Sequence, residues 1–352
     1  MKAAIRRFPE NPLLTPSDIT PSHPGLSVEC VFNPGAFRYQ GRIGLLLRVA
    51  ERPLQEAGWI STPLLDPRSP DGVTILRIRE DDPELKISGR DARGFEHKGR
   101  GYLTTLSHLR LAWSDDGRNF KADPAPTLIG SGTHEDFGIE DCRVELIEGR
   151  HHLTYTAVST FGVGCGLITT ADWKTFERHG LILPPHNKDV GLFPEKIAGA
   201  RWMLHRPSGL GLGGHYIWTA RSPDGLHWGA HTCIATTRPG HWDSERIGAG
   251  AAPIRTKCGW LSIYHGADQA GRYSLGALLL DLENPCRVLA RSDEPLMTAD
   301  ESYERNGFYG NTVFTNGHVT EGDRLLLYYG AADSIVCGAE FSIEDILATL
   351  NA

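Results

Sequence analysis

Short apolar runs separated by turn residues make up most of this chain. In "GIEDCRVELIEGRHHLTYTA", residues 138–157, an apolar run ending at Ile147 meets a Glu-Gly turn and is followed by a second run ending at Thr156, which predicts an antiparallel hairpin. The 40 glycines and 22 prolines are spread along the chain, as is typical of many short strands and turns. The best helix candidate is "SIEDILATLN" near the C-terminus, where Ser342 is a suitable cap and Asp345 stands three residues further on.

Two sequence units recur at similar intervals. The first is a turn with a hydroxyl residue, found as "WSDDGRNF", "TADWKTF" and "RSPDGLHW" at residues 113–120, 170–176 and 221–228. The second is a glycine followed by an apolar strand with a polar end, and its five copies begin at Gly41, Gly149, Gly199, Gly259 and Gly322. The last three steps are 50, 60 and 63 residues, and the first is 108, twice the usual unit. Strand-rich units of this length predict the blades of a β-propeller.

We therefore expect an all-β fold, a five-bladed β-propeller over residues 26–340, with a polar insertion in the long first interval. An irregular segment should precede it at residues 1–25, and a short helix should follow it at residues 341–352. A β-sandwich is the alternative all-β fold, but it does not account for five similar strand ends.

The polar ends of the five glycine-led strands meet at one rim of a central channel if those strands surround a common axis. The ends are Arg48, Thr156, Arg206, His265 and, slightly further along, Asp333. Glu140 and Asp141 begin the strand that pairs with the one ending at Thr156, so an antiparallel hairpin returns them to the same rim. We expect Asp141 to face a shared polar pocket in the channel rather than the core.

Composition narrows the possible partners. The chain has 36 basic and 43 acidic residues and a net charge of −7, which argues against a nucleic acid or an anionic membrane as partner. The seven cysteines are scattered, with no CxxC pair, so neither a disulfide framework nor a metal site is expected. No apolar stretch resembles a secretion signal or a membrane span. These features predict a cytoplasmic protein and leave the oligomeric state open.

Seven motifs follow one another between residues 138 and 333: "GIEDCRV", "KDVGLFPEKI", "MLHRP", "IGAGAAPI", "GWLSIYHGAD", "LLLDLENP" and "LYYGAAD". In this order, and over roughly residues 30–340, the chain resembles glycoside hydrolase family 130, the β-mannoside phosphorylases. The resemblance implies a five-bladed propeller with its site in the central channel. It also implies an inverting, reversible phosphorolysis of a β-mannoside, a mannobiose or mannooligosaccharide, that gives α-mannose 1-phosphate. The partners are then the β-mannoside and inorganic phosphate, a co-substrate, with no cofactor.

The resemblance also suggests roles for individual residues. In the family pattern "GIEDPR" the acid is the proton donor, and this position falls on Asp141, with Cys142 in place of the proline. The mannose is thought to pass the proton through its own hydroxyl. Asn33 and Asp333 resemble positions that hold the mannose hydroxyls, for which amide and carboxylate groups are suited.

Cations are expected to hold the phosphate, because phosphate is already an anion and needs no base to activate it. Arg48 and Arg206 are the best candidates, since guanidinium groups bind oxyanions bidentately and both residues end equivalent strands. Lys188 and His265 are expected to complete the cluster.

Side chains alternate between the two faces of a strand, which predicts the orientation of the residues next to Asp141. Glu140 is expected on the opposite face, as a structural or sugar-contacting neighbour, and Arg143 on the same face as Asp141. Arg143 is therefore a candidate sugar ligand, with a simple ion pair as the alternative.

Two other functions remain open on the same scaffold. One is an inverting β-mannosidase, which needs a second carboxylate as base for water, and Glu195 or Glu245 is the candidate. The other is a carbohydrate-binding propeller without catalysis, against which the intact donor position argues. The linkage of the substrate, β-1,2 or β-1,4, and the acceptor sugar depend on loops that spacing does not describe.

Overall fold

The computed structural model describes residues 5–69, 72–87, 94–209 and 211–350. Within these ranges the chain is nearly all β. Up to residue 122 the strands are β1 (Arg6–Arg7), β2 (Leu26–Tyr39), β3 (Arg42–Pro53), β4 (Trp59–Leu65), β5 (Val73–Arg79), β6 (Leu85–Ile87), β7 (Gly94–His97), β8 (Arg100–Leu103), β9 (Leu106–Ser114) and β10 (Lys121–Ala122). The next strands are β11 (Ile139–Ile147), β12 (Arg150–Ser159), β13 (Gly162–Thr170), β14 (Glu177–Leu183), β15 (Asn187–Leu192), β16 (Arg201–Pro207), β17 (Ile217–Ser222) and β18 (Gly229–Ala235).

The remaining strands are β19 (Arg246–Ala249), β20 (Ile254–Arg255), β21 (Trp260–Ala267), β22 (Tyr273–Leu280), β23 (Val288–Arg291), β24 (Val313–Glu321), β25 (Arg324–Ala331) and β26 (Ile335–Ser342). Two short α-helices, α1 (Ser302–Arg305) and α2 (Ile343–Thr349), and a 3-10 turn at Pro16–Asp18 complete the elements of the described ranges. Neither helix has the length and apolar character needed to cross a membrane.

The strands form five main antiparallel sheets. Sheet 1 has the order β2-β3-β9-β10, sheet 2 β11-β12-β13-β14, sheet 3 β15-β16-β17-β18, sheet 4 β19-β21-β22-β23 with β20 beside β21, and sheet 5 β24-β25-β26-β1. The second strand of each sheet follows one of the five glycines of the repeat, and all five glycines have positive φ. Only glycine adopts such angles without strain, so the sequence repeat corresponds to the turn that enters each second strand.

The hydroxyl turns are equivalent as predicted. Each lies at the end of a third strand, where the side-chain oxygen of Ser114, Thr170 or Ser222 accepts a hydrogen bond from the backbone N–H three residues later. This bond closes the turn and leads the chain back to the outer strand.

The apolar cores lie between neighbouring sheets. Five clusters of buried side chains join sheet 1 to sheet 2, 2 to 3, 3 to 4, 4 to 5, and 5 to 1. The first strands follow the same succession, since β2 contacts β24 and β11, β11 contacts β15, and β15 contacts β19. Each sheet therefore packs on two neighbours. In this arrangement the first strands of the sheets lie next to one another, and their polar residues come together.

The N-terminal segment and the polar insertion both contain strands that were not predicted from the sequence. Arg6 and Arg7 form β1, which pairs with β26 and completes sheet 5, so residues 1–25 are not wholly irregular. The Arg7 guanidinium binds the fully buried Glu304, an interaction between distant residues that local pattern does not reveal. In the long first interval, β4 pairs with β5, and β6, β7 and β8 form a small separate sheet.

Helix α2 begins where the sequence suggested. The Ser342 side chain caps it by accepting the backbone N–H of Asp345 at 3.0 Å. The cap supports the predicted helix at the C-terminal end.

Candidate active site

A pocket of about 490 Å³ opens where the polar ends of the first and second strands meet. Residues from all five sheets and from the insertion line it. Its acidic, basic and histidine lining residues are Arg48, Glu140, Asp141, Lys188, Asp189, Arg206, His215, Arg246 and Asp333. Such a concentration of both signs in one concave site is typical of a functional centre.

Asn33, Asp141 and Asp189 occupy matching positions on the first strands of sheets 1, 2 and 3. Each lies in a β-bulge, where the pairing with the second strand shifts register. Their φ angles are 46°, 49° and 58°, in the left-handed region that asparagine and aspartate tolerate better than most residues. The extra residue of a bulge re-aims a side chain, and here it turns three polar groups into the pocket.

Arg48 joins the two carboxylates of the "EDCR" segment. Its Nη2 donates to Oε1 of Glu140 at 2.7 Å, and its Nη1 donates to Oδ1 of Asp141 at 3.1 Å. The Asn33 amide donates to the same Asp141 oxygen at 3.0 Å. The Arg48 guanidinium also lies 4.5 Å from the centre of the Phe32 ring, which supports it from below.

These contacts set the protonation state of Asp141. Burial favours the neutral carboxyl, but the charges of Arg48 and Lys188 and the hydrogen bond from Asn33 outweigh it and lower the pKa of Asp141 below its usual value. Asp141 is therefore ionised in the ligand-free protein at neutral pH.

Asp189 is the centre of a second ionic cluster. The Arg206 Nε donates to its Oδ2 at 2.6 Å, and the Arg143 Nη2 donates to its Oδ1 at 3.1 Å. The His265 Nε2 lies 3.3 Å from Oδ2. Burial acts to raise the pKa of Asp189, but Arg206, His265 and Arg143 overcome this effect and hold the pKa well below 3.8. Burial lowers the pKa of His265, which favours the neutral ring. The positive charge that keeps Asp189 ionised therefore comes mainly from Arg206 and Arg143.

The depressed pKa of Asp189 makes it a source of acid-sensitive stability. A carboxylate whose folded-state pKa lies below its unfolded value stabilises the fold above the unfolded value, and this contribution is lost as pH falls toward the folded pKa. We expect the free energy of unfolding to decrease between about pH 4 and about pH 3, and to decrease less in Asp189→Asn. Urea unfolding of both proteins across this range measures the difference. Parallel decreases would contradict the assignment.

The pocket contains most of the residues predicted from the sequence. Those that line it are Asn33, Arg48, Asp141, Lys188, Arg206 and Asp333. Thr156 is the cross-strand partner of Glu140, beside the pocket. The predicted meeting of these strand ends is therefore present.

Three predictions about orientation are wrong, and the bulges explain two of them. Glu140 does not face away from Asp141, because the register shift between Glu140 and Arg143 interrupts the alternation of side chains. Both acids line the pocket. For the same reason Arg143 does not share the pocket face, and the alternative expectation, an ion pair, is the one found. It is buried and binds Asp189 and the carbonyls of Asp141, Ala249 and Gly250.

His265 is the third correction. It is fully buried behind Asp189 and does not line the pocket, so it is not placed to touch phosphate. Its position near the strand end is as expected, but the side chain contacts a carboxylate instead of solvent. Spacing along a strand predicts how far along the strand a residue lies, whereas packing determines the direction of its side chain.

Several pocket residues were not singled out from the sequence. They are Asp189, His215, Arg246, Tyr273 and Phe308. The sequence does contain a signal for Asp189. In "KDVG" an aspartate stands near the start of a first strand, as Asp141 does in "EDCR". Arg246 begins β19 and its Nη1 lies 3.4 Å from the Tyr273 hydroxyl, a contact between distant segments that no local motif predicts.

The candidate bases for a hydrolase lie elsewhere. Glu195 is about half exposed and pairs with Arg255 at 2.7 Å. Glu245 is exposed, and neither residue lines the pocket. Part of the glycine-rich loop at 209–214 falls outside the described residues, at position 210.

Cys142, which replaces the proline of the family pattern, lies in the apolar core between sheets 1 and 2. Burial raises the pKa of its thiol, so the group stays neutral. The thiol is not among the groups that line the pocket. The substitution therefore leaves the carboxylate of Asp141 in place.

Comparison with known proteins gives concordant matches. A family model described as beta-1,4-mannooligosaccharide phosphorylase matches residues 80–352. A beta-1,2-mannobiose phosphorylase from Listeria innocua is 43% identical over 352 residues, covering 99% of this chain and 98% of that protein. A 1,2-beta-oligomannan phosphorylase from a Thermoanaerobacter species is 39% identical over 253 residues, covering 70% of this chain and 82% of its own.

A solved structure agrees with these matches. The Listeria innocua beta-1,2-mannobiose phosphorylase, in complex with beta-1,2-mannobiose, superposes with a TM-score of 0.95 and 42% identity, covering 99% of both chains. The likeness extends over the whole architecture, including the five sheets that form the pocket.

Proposed function

Because the chain belongs to glycoside hydrolase family 130, we propose that it is a β-mannoside phosphorylase. It transfers the mannosyl group of a β-mannoside to inorganic phosphate, with inversion, and releases α-mannose 1-phosphate in a reversible reaction. The observation that carries this proposal is the pocket itself, in which one carboxylate pair faces a set of cations. That combination matches the needs of phosphorolysis.

Asp141 acts as the general acid. Cleavage of a glycosidic bond needs a proton on the leaving oxygen, and a buried carboxyl in the pocket supplies it. Asn33 fixes the orientation of this group through its amide. Asp333 lines the same side of the pocket as Arg48 and is placed to accept hydrogen bonds from mannose hydroxyls.

Arg48, Lys188 and Arg206 bind phosphate. All three line the pocket, and among the described residues no hydrogen-bond partner engages either Nη atom of Arg206. A guanidinium with both Nη atoms free to donate is suited to bidentate binding of an oxyanion. Arg246, which also lines the pocket, adds to the positive potential.

Phosphate binding prepares the acid. In the ligand-free protein Arg48 holds Asp141 ionised. A phosphate dianion beside Arg48 opposes that charge and raises the proton affinity of Asp141, so that the carboxyl can be protonated before the bond breaks. Arg48 thus takes part both in binding phosphate and in setting the protonation state of Asp141.

A hydrolase is disfavoured by the same geometry. An inverting hydrolase requires a second carboxylate free to activate water. In the pocket Glu140 is bound to Arg48 and Asp189 to two arginines, and Asp333 is assigned to the mannose hydroxyls. Glu195 and Glu245 lie outside it.

The substrate we propose is β-1,2-mannobiose or a short β-1,2-mannooligosaccharide. Support comes from the Listeria innocua protein, which matches this chain along its full length and whose structure contains that disaccharide. The side of the pocket formed by Tyr273, Phe308 and Tyr309 offers rings on which a sugar can stack.

The five sheets are the blades of a propeller in this proposal, and residues 26–340 form one catalytic domain. The succession of inter-sheet cores from sheet 1 back to sheet 1 supports the ring, and β1 fastens its ends by joining sheet 5. All seven cysteines are free thiols, which suits the cytoplasm as location.

Product analysis with two disaccharides tests the proposal. The protein is incubated with β-1,2-mannobiose or β-1,4-mannobiose, each with and without phosphate. We expect mannose 1-phosphate from the β-1,2 disaccharide only when phosphate is present. Preference for the β-1,4 disaccharide would overturn the linkage, and release of free mannose alone would overturn the reaction.

A further inference from the structure

Asp189 is a buried carboxylate at the edge of the pocket. One of its partners is a proposed phosphate ligand, and another contacts the backbone of the proposed general acid. Asp189 is 2% exposed, too little for a substrate ligand of its own. One of its oxygens binds Arg206, which faces the pocket, and the other binds Arg143, which does not. Asp189 therefore stands between a phosphate ligand and the surrounding scaffold.

Arg143 extends this connection to the acid. Its Nη1 donates to the backbone carbonyl of Asp141 at 3.1 Å, and its Nη2 and Nε donate to the carbonyls of Ala249 and Gly250 at 2.8 and 2.6 Å. All three of its nitrogens are engaged, so the side chain is fixed. The arginine thus ties the backbone of Asp141 on β11 to Asp189 on β15 and to the end of β19.

Gly248 leaves the space in which this cluster forms. A Cβ on Gly248 would collide with Oδ2 of Asp189 and would lie 2.5 Å from Nε2 of His265. A side chain at this position would crowd both the Asp189 carboxylate, at the oxygen that binds Arg206, and the His265 ring. The glycine is thus needed for the close approach of the two groups.

We propose that Asp189 is a positioning residue that holds the Arg206 side chain toward the phosphate. Through Arg143, which also binds the Asp141 backbone, it fixes the position of Arg206 relative to the general acid. The inference rests on the proposed phosphorylase function and adds a residue to it. By binding Nε, Asp189 presents the two Nη atoms of Arg206 to the pocket as a fixed pair. Without the carboxylate, Arg206 can rotate, and its bidentate contact with phosphate is lost for part of the time.

The test is Asp189→Asn, which keeps the size of the side chain but removes its charge. Calorimetric titration with inorganic phosphate should show an affinity about tenfold weaker, comparable to the lower end of the loss seen when the orienting partner of a metal ligand is removed. The KM for phosphate should rise in parallel, while the KM for β-1,2-mannobiose should stay within about twofold of the wild type. A loss of folded protein alone would lower the apparent rate and leave both KM values unchanged.

Asp243→Asn is the matched control. Asp243 is also fully buried and binds two arginines, Arg238 and Arg291, but it does not line the pocket. The control should lose stability as Asp189→Asn does and keep the phosphate affinity of the wild type. If both variants keep that affinity, the positioning role of Asp189 is overturned.

Gly248→Ala decides the matter if Asp189→Asn does not fold. It retains every charge and crowds the carboxylate oxygen that binds Arg206, so a smaller loss of phosphate affinity in the same direction supports the proposal, and unchanged affinity overturns it. The proposed function is judged separately on the wild type. A wild type that makes mannose 1-phosphate, with variants that bind phosphate normally, refutes only the role of Asp189. A wild type that makes none refutes the function.

Discussion

Asp141→Asn should retain the fold and mannoside binding and lose most of its turnover. Asparagine has the shape of aspartate but no acidic proton to give, and general acid catalysis typically contributes about 10²–10⁴-fold to a rate. Arg48 and Asn33 remain as neighbours, so the pocket keeps its form. Steady-state kinetics with β-1,2-mannobiose and phosphate measures the rate, and calorimetry measures sugar binding.

Glu140→Gln is the matched control for this prediction. Glu140 is adjacent in sequence, lines the same pocket and binds the same arginine at 2.7 Å. We expect a smaller loss of rate, because Glu140 serves to hold Arg48 in the proposed mechanism. A near-normal rate for Asp141→Asn would refute the acid assignment, and a reversed order of the two variants would move the acid to Glu140.

The second large effect concerns phosphate. Each arginine contact with phosphate, a charged hydrogen bond, is worth about 1.5–3 kcal/mol, so Arg206→Ala should weaken the apparent phosphate affinity on the order of tenfold to a hundredfold. The reverse reaction from mannose 1-phosphate should suffer in parallel, because the same cation holds the phosphate of that product. The KM for phosphate and the rate of synthesis measure the two effects.

Arg48→Ala should weaken phosphate affinity by a similar factor, but it has a further consequence. Arg48 also lowers the pKa of Asp141, so its removal changes the acid as well. Arg206→Ala is for this reason the cleaner test. Arg238→Ala, whose side chain pairs with Asp243 away from the pocket, is the control and should leave phosphate affinity unchanged. Equal effects of Arg206→Ala and Arg238→Ala would contradict the assignment of Arg206.

The repeat made much of the architecture predictable. Each glycine of the unit precedes the second strand of a sheet, and each hydroxyl residue closes a turn after a third strand. The requirement for positive φ and the side-chain cap are local, so sequence records them directly. The same level of reasoning placed Arg48 and Arg206 at one pocket, since both end second strands.

The errors share a physical cause. A bulge inserts one residue and reverses the faces of those that follow, so the assignments of Glu140 and Arg143 from simple alternation were wrong. His265 packs against Asp189, which lies on β15 in the neighbouring sheet, in the space that Gly248 leaves open. Strand β1 likewise brings Arg7 into contact with Glu304, 297 residues away. Long-range packing of this kind leaves no local trace.

The stoichiometry of products from β-1,2-mannobiose tests the central claim most directly. The disaccharide is mixed with the wild-type protein, and mannose and mannose 1-phosphate are followed by NMR as the phosphate concentration is raised from zero. The account predicts a rate that depends on phosphate, with one α-mannose 1-phosphate and one mannose formed from each disaccharide. Release of two free mannose molecules at a rate that phosphate does not change would contradict it.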